Sequence, residues 1–203
     1  MLNTVFFDLG NVLLFFSHVK MFDQIANLTG IAKEEVQNIF SERKILEICE
    51  IGKMSSHDIY RIFQSLSSHR FTVDALMNAM SDIFIPNQNI WPIVIGLKKN
   101  KIRLVLLSNT SKAHFNKACS LCPLLKTFDS NVLSFEIGSL KPSLQFFKKA
   151  IAEANAPLTQ CFYTDDVPEF IEGAKRVGLD GEVFTSANSL RKQLIERGCR
   201  FLA

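Results

Sequence analysis

No segment of this 203-residue chain strings together the ~18 apolar residues that a membrane-spanning helix needs, so no transmembrane segment is expected. Cysteine is sparse and odd in number. Cys49, Cys119, Cys122, Cys161 and Cys199 are scattered, which argues against a disulfide framework. The opening apolar run breaks at Asp8, too early for a signal peptide, so reduced thiols in a cytoplasmic protein are the expectation. Cys119 and Cys122 have the spacing of a metal or redox pair, yet a zinc site needs four ligands and no second pair appears. A redox pair would open a helix directly after a strand. Here Cys122 precedes Pro123, and the two cysteines read as small residues at a helix end. Internal repeats, low-complexity tracts and stretches polar enough for disorder are all missing. The net charge of +3 comes from interspersed residues of both signs, and the short run Lys98-Lys99-Asn100-Lys101 has no aromatic residues woven into it. Neither nucleic acid nor a membrane is an expected partner.

What is present is apolar residue in quantity, 47% of the chain, enough for one core domain with room for a small insert. Residues 4–7, 102–107 and 160–163 are short continuous apolar runs ended by polar turns, the pattern of parallel strands buried on both faces. Residues 130–134 and 182–184 are weaker strands. Helical patterns cover 88–99, 111–119, 142–155, 168–177 and 186–196, with Pro142 and Pro168 expected in first helical turns. Strands alternating with helices indicate an α/β fold, a parallel sheet with helices on both faces. From about residue 16 to 85 the periodicity is helical throughout and no strand is evident. Helices are expected at 18–28, 33–40, 45–51, 56–65 and 73–84, with Ser55 and Asp58 at capping-box spacing. The division is therefore a core of residues 1–16 and 86–203 and a helical insert of residues 17–85.

Ligands of such sheets bind beyond the carboxyl ends of the strands. There the sequence places Asp8, Ser108 with Asn109, and the acid pair Asp165-Asp166, while Lys141 stands in a loop before a helix. Several carboxylates at one point repel unless a hard cation sits among them, and Mg²⁺ takes one or two carboxylates together with phosphate oxygens. A lysine and a hydroxyl beside it would complete a cradle for a phosphoryl group, which Asp8 could attack. His18, Phe15 and Phe16 lie at the crossing from core to insert and are candidates to touch substrate. His57, His69 and His114 read as ordinary helix or loop residues.

The segments Phe6-Phe-Asp-Leu-Gly-Asn-Val12, Leu106-Leu-Ser-Asn-Thr110, Gly138-Ser-Leu-Lys-Pro142 and Phe162-Tyr-Thr-Asp-Asp-Val-Pro-Glu169 resemble, in order and spacing, the four motifs of the haloacid dehalogenase superfamily. Glu172-Gly-Ala-Lys-Arg-Val-Gly178 extends the fourth, and Glu50-Ile-Gly-Lys-Met-Ser55 resembles a recurrent cap segment. Within the superfamily the chain is most similar to small-molecule phosphatases whose first motif reads Asp-Leu-Gly-Asn-Val, bacterial sugar-phosphate and glucose 1-phosphate phosphatases among them. The resemblance implies a Rossmann-like core with a helical cap, and a Mg²⁺-dependent phosphomonoesterase acting on a small phosphorylated metabolite. It implies Asp8 as nucleophile and metal ligand, the Gly10 carbonyl, Asp165 and Asp166 as further metal ligands, Ser108 and Asn109 on phosphoryl oxygens, and Lys141 as the neutralising catalytic cation. Two positions depart from the pattern. Relatives usually carry a second Asp where this chain has Gly10, serving as general acid worth ~10²–10⁴-fold in rate. They also carry a polar residue where this chain has Phe170. Slow turnover, or a protein that binds a phosphorylated ligand or protein partner without turnover, is the alternative these departures raise. Dehalogenases also lack the second Asp, but they usually lack the acid pair kept here.

Overall fold

The computed structural model describes residues 2–203. The chain opens with β1 (Thr4–Phe7) and β2 (Leu14–Phe16), then runs through α1 (His18–Thr29), α2 (Lys33–Glu42), α3 (Ile45–Glu50), α4 (Ser56–Leu66) and α5 (Val73–Ser81). It returns with β3 (Phe84–Pro86), α6 (Trp91–Lys99), β4 (Arg103–Ser108), α7 (Lys112–Leu121), β5 (Ser130–Leu133) and α8 (Ser134–Ile137). The remainder is α9 (Leu144–Ala152), β6 (Cys161–Asp165), α10 (Pro168–Lys175), β7 (Gly181–Val183) and α11 (Ala187–Glu196).

Five strands pair in parallel in the order β5-β4-β1-β6-β7. Strand β1 lies in the middle, with Val5 facing Leu104 on one side and Phe162 on the other. That position explains its unbroken apolar run, because a central parallel strand is buried on both faces. Alternate side chains go to opposite layers. Val5 and Phe7 join Leu104, Leu106 and Phe162 under helices α6 and α11, while Phe6, Val105, Leu107 and Tyr163 pack against Phe146 and Phe147 of α9 and Ile171 of α10. The sheet is therefore covered by helices on both faces, as expected. Successive strands leave β1 first toward β5 and then toward β7, so the order reverses beside β1, where such sheets bind their ligands.

Helices α1 to α5 bury a third apolar cluster of their own, which includes Met21, Ile25, Val36, Ile45, Phe63 and Leu76. Helix α4 begins with the expected capping box, in which Ser55 accepts from the Asp58 amide and the Asp58 carboxylate accepts from the Ser55 amide. Two expectations need correction. The stretch read as strand-free begins and ends in an antiparallel pair, with Phe15 opposite Ile85 and Phe16 opposite Phe84. Helix α5 stops at Ser81 rather than Phe84, and the freed residues pair with a segment that is distant in sequence, which helical periodicity does not register. Pro142 lies outside helix α9. Ser143 caps that helix by accepting from the Phe146 amide, so the helix starts one residue after the serine.

Candidate active site

Asp8 follows the last residue of β1, and its amide donates to the Thr164 carbonyl of β6 (3.0 Å). This bond continues the ladder one residue past the strand and aims the Asp8 carboxylate across the sheet end. Its Oδ1 accepts from Lys141 Nζ at 2.6 Å. The same ammonium donates to Asp165 Oδ2 at 2.7 Å, and the Leu107 carbonyl and the Tyr163 hydroxyl stand 3.2 Å away. Lys141 is 3% exposed. Burial alone would lower its pKa, but Asp8 and Asp165 reverse that and hold it above the ordinary lysine value. Phe170 closes the pocket, with its ring centroid 4.8 Å from Nζ in a cation–π contact.

The loop after β4 fixes this lysine. Asn109 Oδ1 accepts from the Lys141 amide at 2.8 Å, and Asn109 Nδ2 donates to the Lys141 carbonyl at 3.1 Å. Asn109, expected on phosphoryl oxygens, thus has both ends of its carboxamide committed to the Lys141 backbone. Ser108 is buried and lines a small cavity together with Leu9 and Gly10.

The two acids of the pair differ. Asp165 is sealed: Oδ1 accepts from the Val167 amide at 2.9 Å, and Oδ2 accepts from Lys141 and, in a short hydrogen bond, from the Tyr163 hydroxyl. Asp166 is half-buried and accepts from Asn11 Nδ2 at 2.9 Å. Carboxylate oxygens of Asp8, Asp165 and Asp166 lie within 4.8 Å of one another. Two unit charges 4 Å apart repel by about 4 kcal/mol at an effective dielectric of 20. One ammonium pairs with two of the three acids, and the shortage of positive charge is visible in Asp8. Burial pushes its carboxyl up, Lys141 pulls it down, and Asp165 and Asp166 push it up again, to about 7. An all-oxygen donor set short of positive charge fits a hard divalent cation such as Mg²⁺.

A small cavity of about 60 Å³ opens beside Leu9 and Gly10, the two residues that follow Asp8. Gly10, Ser108 and Asn109 line it from the core, His18 and Glu50 line it from the helical segment, and His114 of α7 closes it. At Gly10 a Cβ would stand 2.8 Å from the Phe16 ring, so the space of an acid side chain there is filled by phenylalanine. Two residues of the site, Glu50 and Tyr163, escaped the sequence reading. Glu50 lies in the segment already noticed for its resemblance, but helical spacing alone does not aim it. Tyr163 stands two residues before Asp165 and therefore on the same strand face, a signal that was present.

His114 is buried, with Nε2 3.1 Å from the Met80 carbonyl, and joins α7 to α5. Burial drops its pKa from 6.5 to about 4. The folded state then binds fewer protons than the unfolded chain between those values, so stability from this group is complete above pH 6.5 and lost as pH falls toward 4. The expected contribution is of order 3 kcal/mol. His114→Phe should flatten the stability profile between pH 6.5 and 4 in chemical denaturation, whatever it does to absolute stability. A slope unchanged by the substitution would assign the titration elsewhere.

The sequence model of the haloacid dehalogenase-like hydrolases matches residues 2–178 of this chain. A D-ribitol-5-phosphate phosphatase of Bacteroides thetaiotaomicron is 23% identical over 188 residues, covering 89% of this chain and 90% of that protein. A HAD family enzyme of the same organism, crystallised with magnesium and inorganic phosphate, superposes with a TM-score of 0.80 at 18% identity, over 91% of this chain and 95% of that one. A HAD-like hydrolase structure from Porphyromonas gingivalis gives 0.77 at 19% identity, over 96% and 98% of the two chains.

Proposed function

Since the chain belongs to the haloacid dehalogenase-like hydrolases, we propose that it is a Mg²⁺-dependent phosphomonoesterase that turns over a small phosphorylated metabolite through an aspartyl-phosphate. The observation that carries this reading is the buried Asp8–Lys141 pair at the end of the central strand, 2.6 Å apart, with Asp165 and Asp166 beside it. Lys141 binds Oδ1 and orients the carboxylate. Oδ2 is then the oxygen that forms the bond to phosphorus while the bond to the leaving oxygen breaks. Water later cleaves the acyl phosphate and regenerates Asp8. Asp8, Asp166, Asp165 and the Gly10 carbonyl would hold Mg²⁺, which supplies positive charge for the phosphoryl oxygens when bound. Asn109 acts by positioning Lys141, and Ser108 offers a hydroxyl to a phosphoryl oxygen.

Residues 17–85 form the cap in this reading, since His18 and Glu50 reach the cavity from that segment. The relative named for D-ribitol 5-phosphate supports a sugar or polyol phosphate as substrate. Five free cysteines support a reducing, cytoplasmic setting. The test is turnover on a panel of sugar and polyol phosphates with and without Mg²⁺, beside thermal melts. Mg²⁺ should raise the melting temperature by roughly 5–10 °C at a hundredfold excess over its dissociation constant. Replacing Asp165 and Asp166 together by Asn should remove the shift. Persistence of the shift in the double variant would locate the metal elsewhere.

A further inference from the structure

We propose that Glu50, at the end of α3, is the acid that protonates the leaving oxygen, in place of the side chain that Gly10 lacks. The inference rests on the phosphatase reading above and extends it to a residue outside the core. A phosphoester with a poor leaving group needs a proton donor on the far side of phosphorus from the nucleophile. Gly10 carries no proton, and the Phe16 ring occupies the room beside it. Glu50 lines the same small cavity as Gly10 and Ser108, half-buried, entering from the segment opposite the strand ends. Its place is fixed. Two residues on, Gly52 has φ +72°, and a Cβ there would stand 2.3 Å from the Phe135 carbonyl oxygen, so the turn after α3 presses directly on α8. Only glycine allows both the left-handed backbone and that approach.

The other titratable groups of the cavity do not fit the role. His18 and His114 are both shifted downward by burial, so neither holds an extra proton near neutrality, and His114 faces the Met80 carbonyl. Glu50 is the opposite case. Burial pushes its carboxyl up, Lys141 pulls it down and Glu47 on its own helix pushes it up, to about 7. Helices α2 and α8, which pack on α3, add no charge that acts on it, and Glu136, the charged residue of α8, is exposed. An acid at that value is half protonated where the enzyme would work. In the first step Asp8 Oδ2 bonds to phosphorus, the ester oxygen departs with its electron pair, and the Glu50 proton goes to it, releasing an alcohol. In the second step the Glu50 carboxylate takes a proton from the water that attacks the aspartyl-phosphate. Inorganic phosphate leaves and Glu50 is protonated again.

The test compares wild type with Glu50→Gln on phosphomonoesters of graded leaving-group pKa, from alkyl phosphates to a dinitrophenyl phosphate, in saturating Mg²⁺. Glu50→Gln should lose ~10²–10⁴-fold in kcat/KM on alkyl phosphates, and less than about tenfold on the dinitrophenyl ester, whose anion departs without a proton. The wild-type profile should also lose activity as pH rises through about 7, a limb absent from the variant. Equal losses on all esters, or none, would overturn the assignment while leaving the phosphatase reading intact. Wild type inert toward every ester, the dinitrophenyl one included, would overturn both. If the glutamine variant does not fold, the wild-type series decides alone: a shallow dependence on leaving-group pKa supports the cap acid and a steep one refutes it.

Discussion

Asp8→Asn should abolish turnover of every phosphomonoester, by at least about 10³-fold, since removing the nucleophile of a covalent mechanism costs on the order of 10⁶ in kcat. An amide oxygen does not attack phosphorus, and no neighbouring group replaces it. Lys141 donates to both Asp8 and Asp165 but cannot act as a nucleophile while protonated, and Asp165 is enclosed by Lys141, Tyr163 and the Val167 amide. The fold should survive. Lys141 keeps Asp165 as its partner, and the substitution removes a carboxyl that burial and two neighbouring acids already push up to about 7. The variant should therefore melt no lower than the metal-free wild type and respond less to Mg²⁺. Activity within roughly tenfold of wild type, with matched melting, would remove Asp8 from the nucleophile's role.

Lys141→Ala should be the most damaging single change to stability. It leaves two acids at the end of the sheet without their shared cation, and uncoupling a buried ion pair costs about 3–5 kcal/mol. For a chain of this size the melting temperature should fall by roughly 6–20 °C. Tyr163 and the Val167 amide still hold Asp165, so the loss falls mainly on Asp8. Activity should vanish as well, because Asp8 would take up a proton near neutrality and its oxygen would no longer be oriented. Lys141→Arg should not rescue it. The pocket bounded by Phe170, Tyr163 and the Leu107 carbonyl is built for a compact ammonium, and a planar fork does not fit there. A Lys141→Ala protein that melts within about 1 °C of wild type would mean the acids find another cation.

Much of this was legible in the sequence, for a definite reason. Buried parallel strands announce themselves as apolar runs, and polar residues at their ends stand out because nothing inside a sheet requires them. Asp8, Ser108 and the acid pair were visible on that basis, and Lys141 through its motif. The helices between His18 and Ser81 were visible from their spacing, with ends displaced by a residue or a few. Three things lay beyond that logic. The pairing of Phe15-Phe16 with Phe84-Ile85 joins segments nearly seventy positions apart, and local periodicity carries no such information. Asn109 reads as a ligand, and no local pattern shows that its carboxamide also clasps the Lys141 backbone. Glu50 reads as one more charge on a short helix. Its direction depends on how α3 lies against α8, a packing angle that Gly52 sets and no single-residue preference encodes.

The central place of β1 also governs how the molecule comes into being. The strand that leads into Asp8 leaves the ribosome before either neighbour, since these begin only at Arg103 and Cys161. At ordinary translation rates of about 5–20 residues per second, β1 remains without either partner for roughly 5–20 s and with one bare edge for several seconds more. Its Thr-Val-Phe-Phe run is an adhesive one to leave open that long. Helices α1 to α5 emerge in that interval and can bury their own cluster by local contacts, so a nascent chain carries a formed helical segment attached to an unfinished sheet. The acid cluster is assembled late and at once, when β6 slots in beside β1 and brings Asp165 and Asp166 to meet Asp8. A chain released before that point holds Asp8 and Lys141 but neither Asp165 nor Asp166, and it leaves an edge of β1 bare.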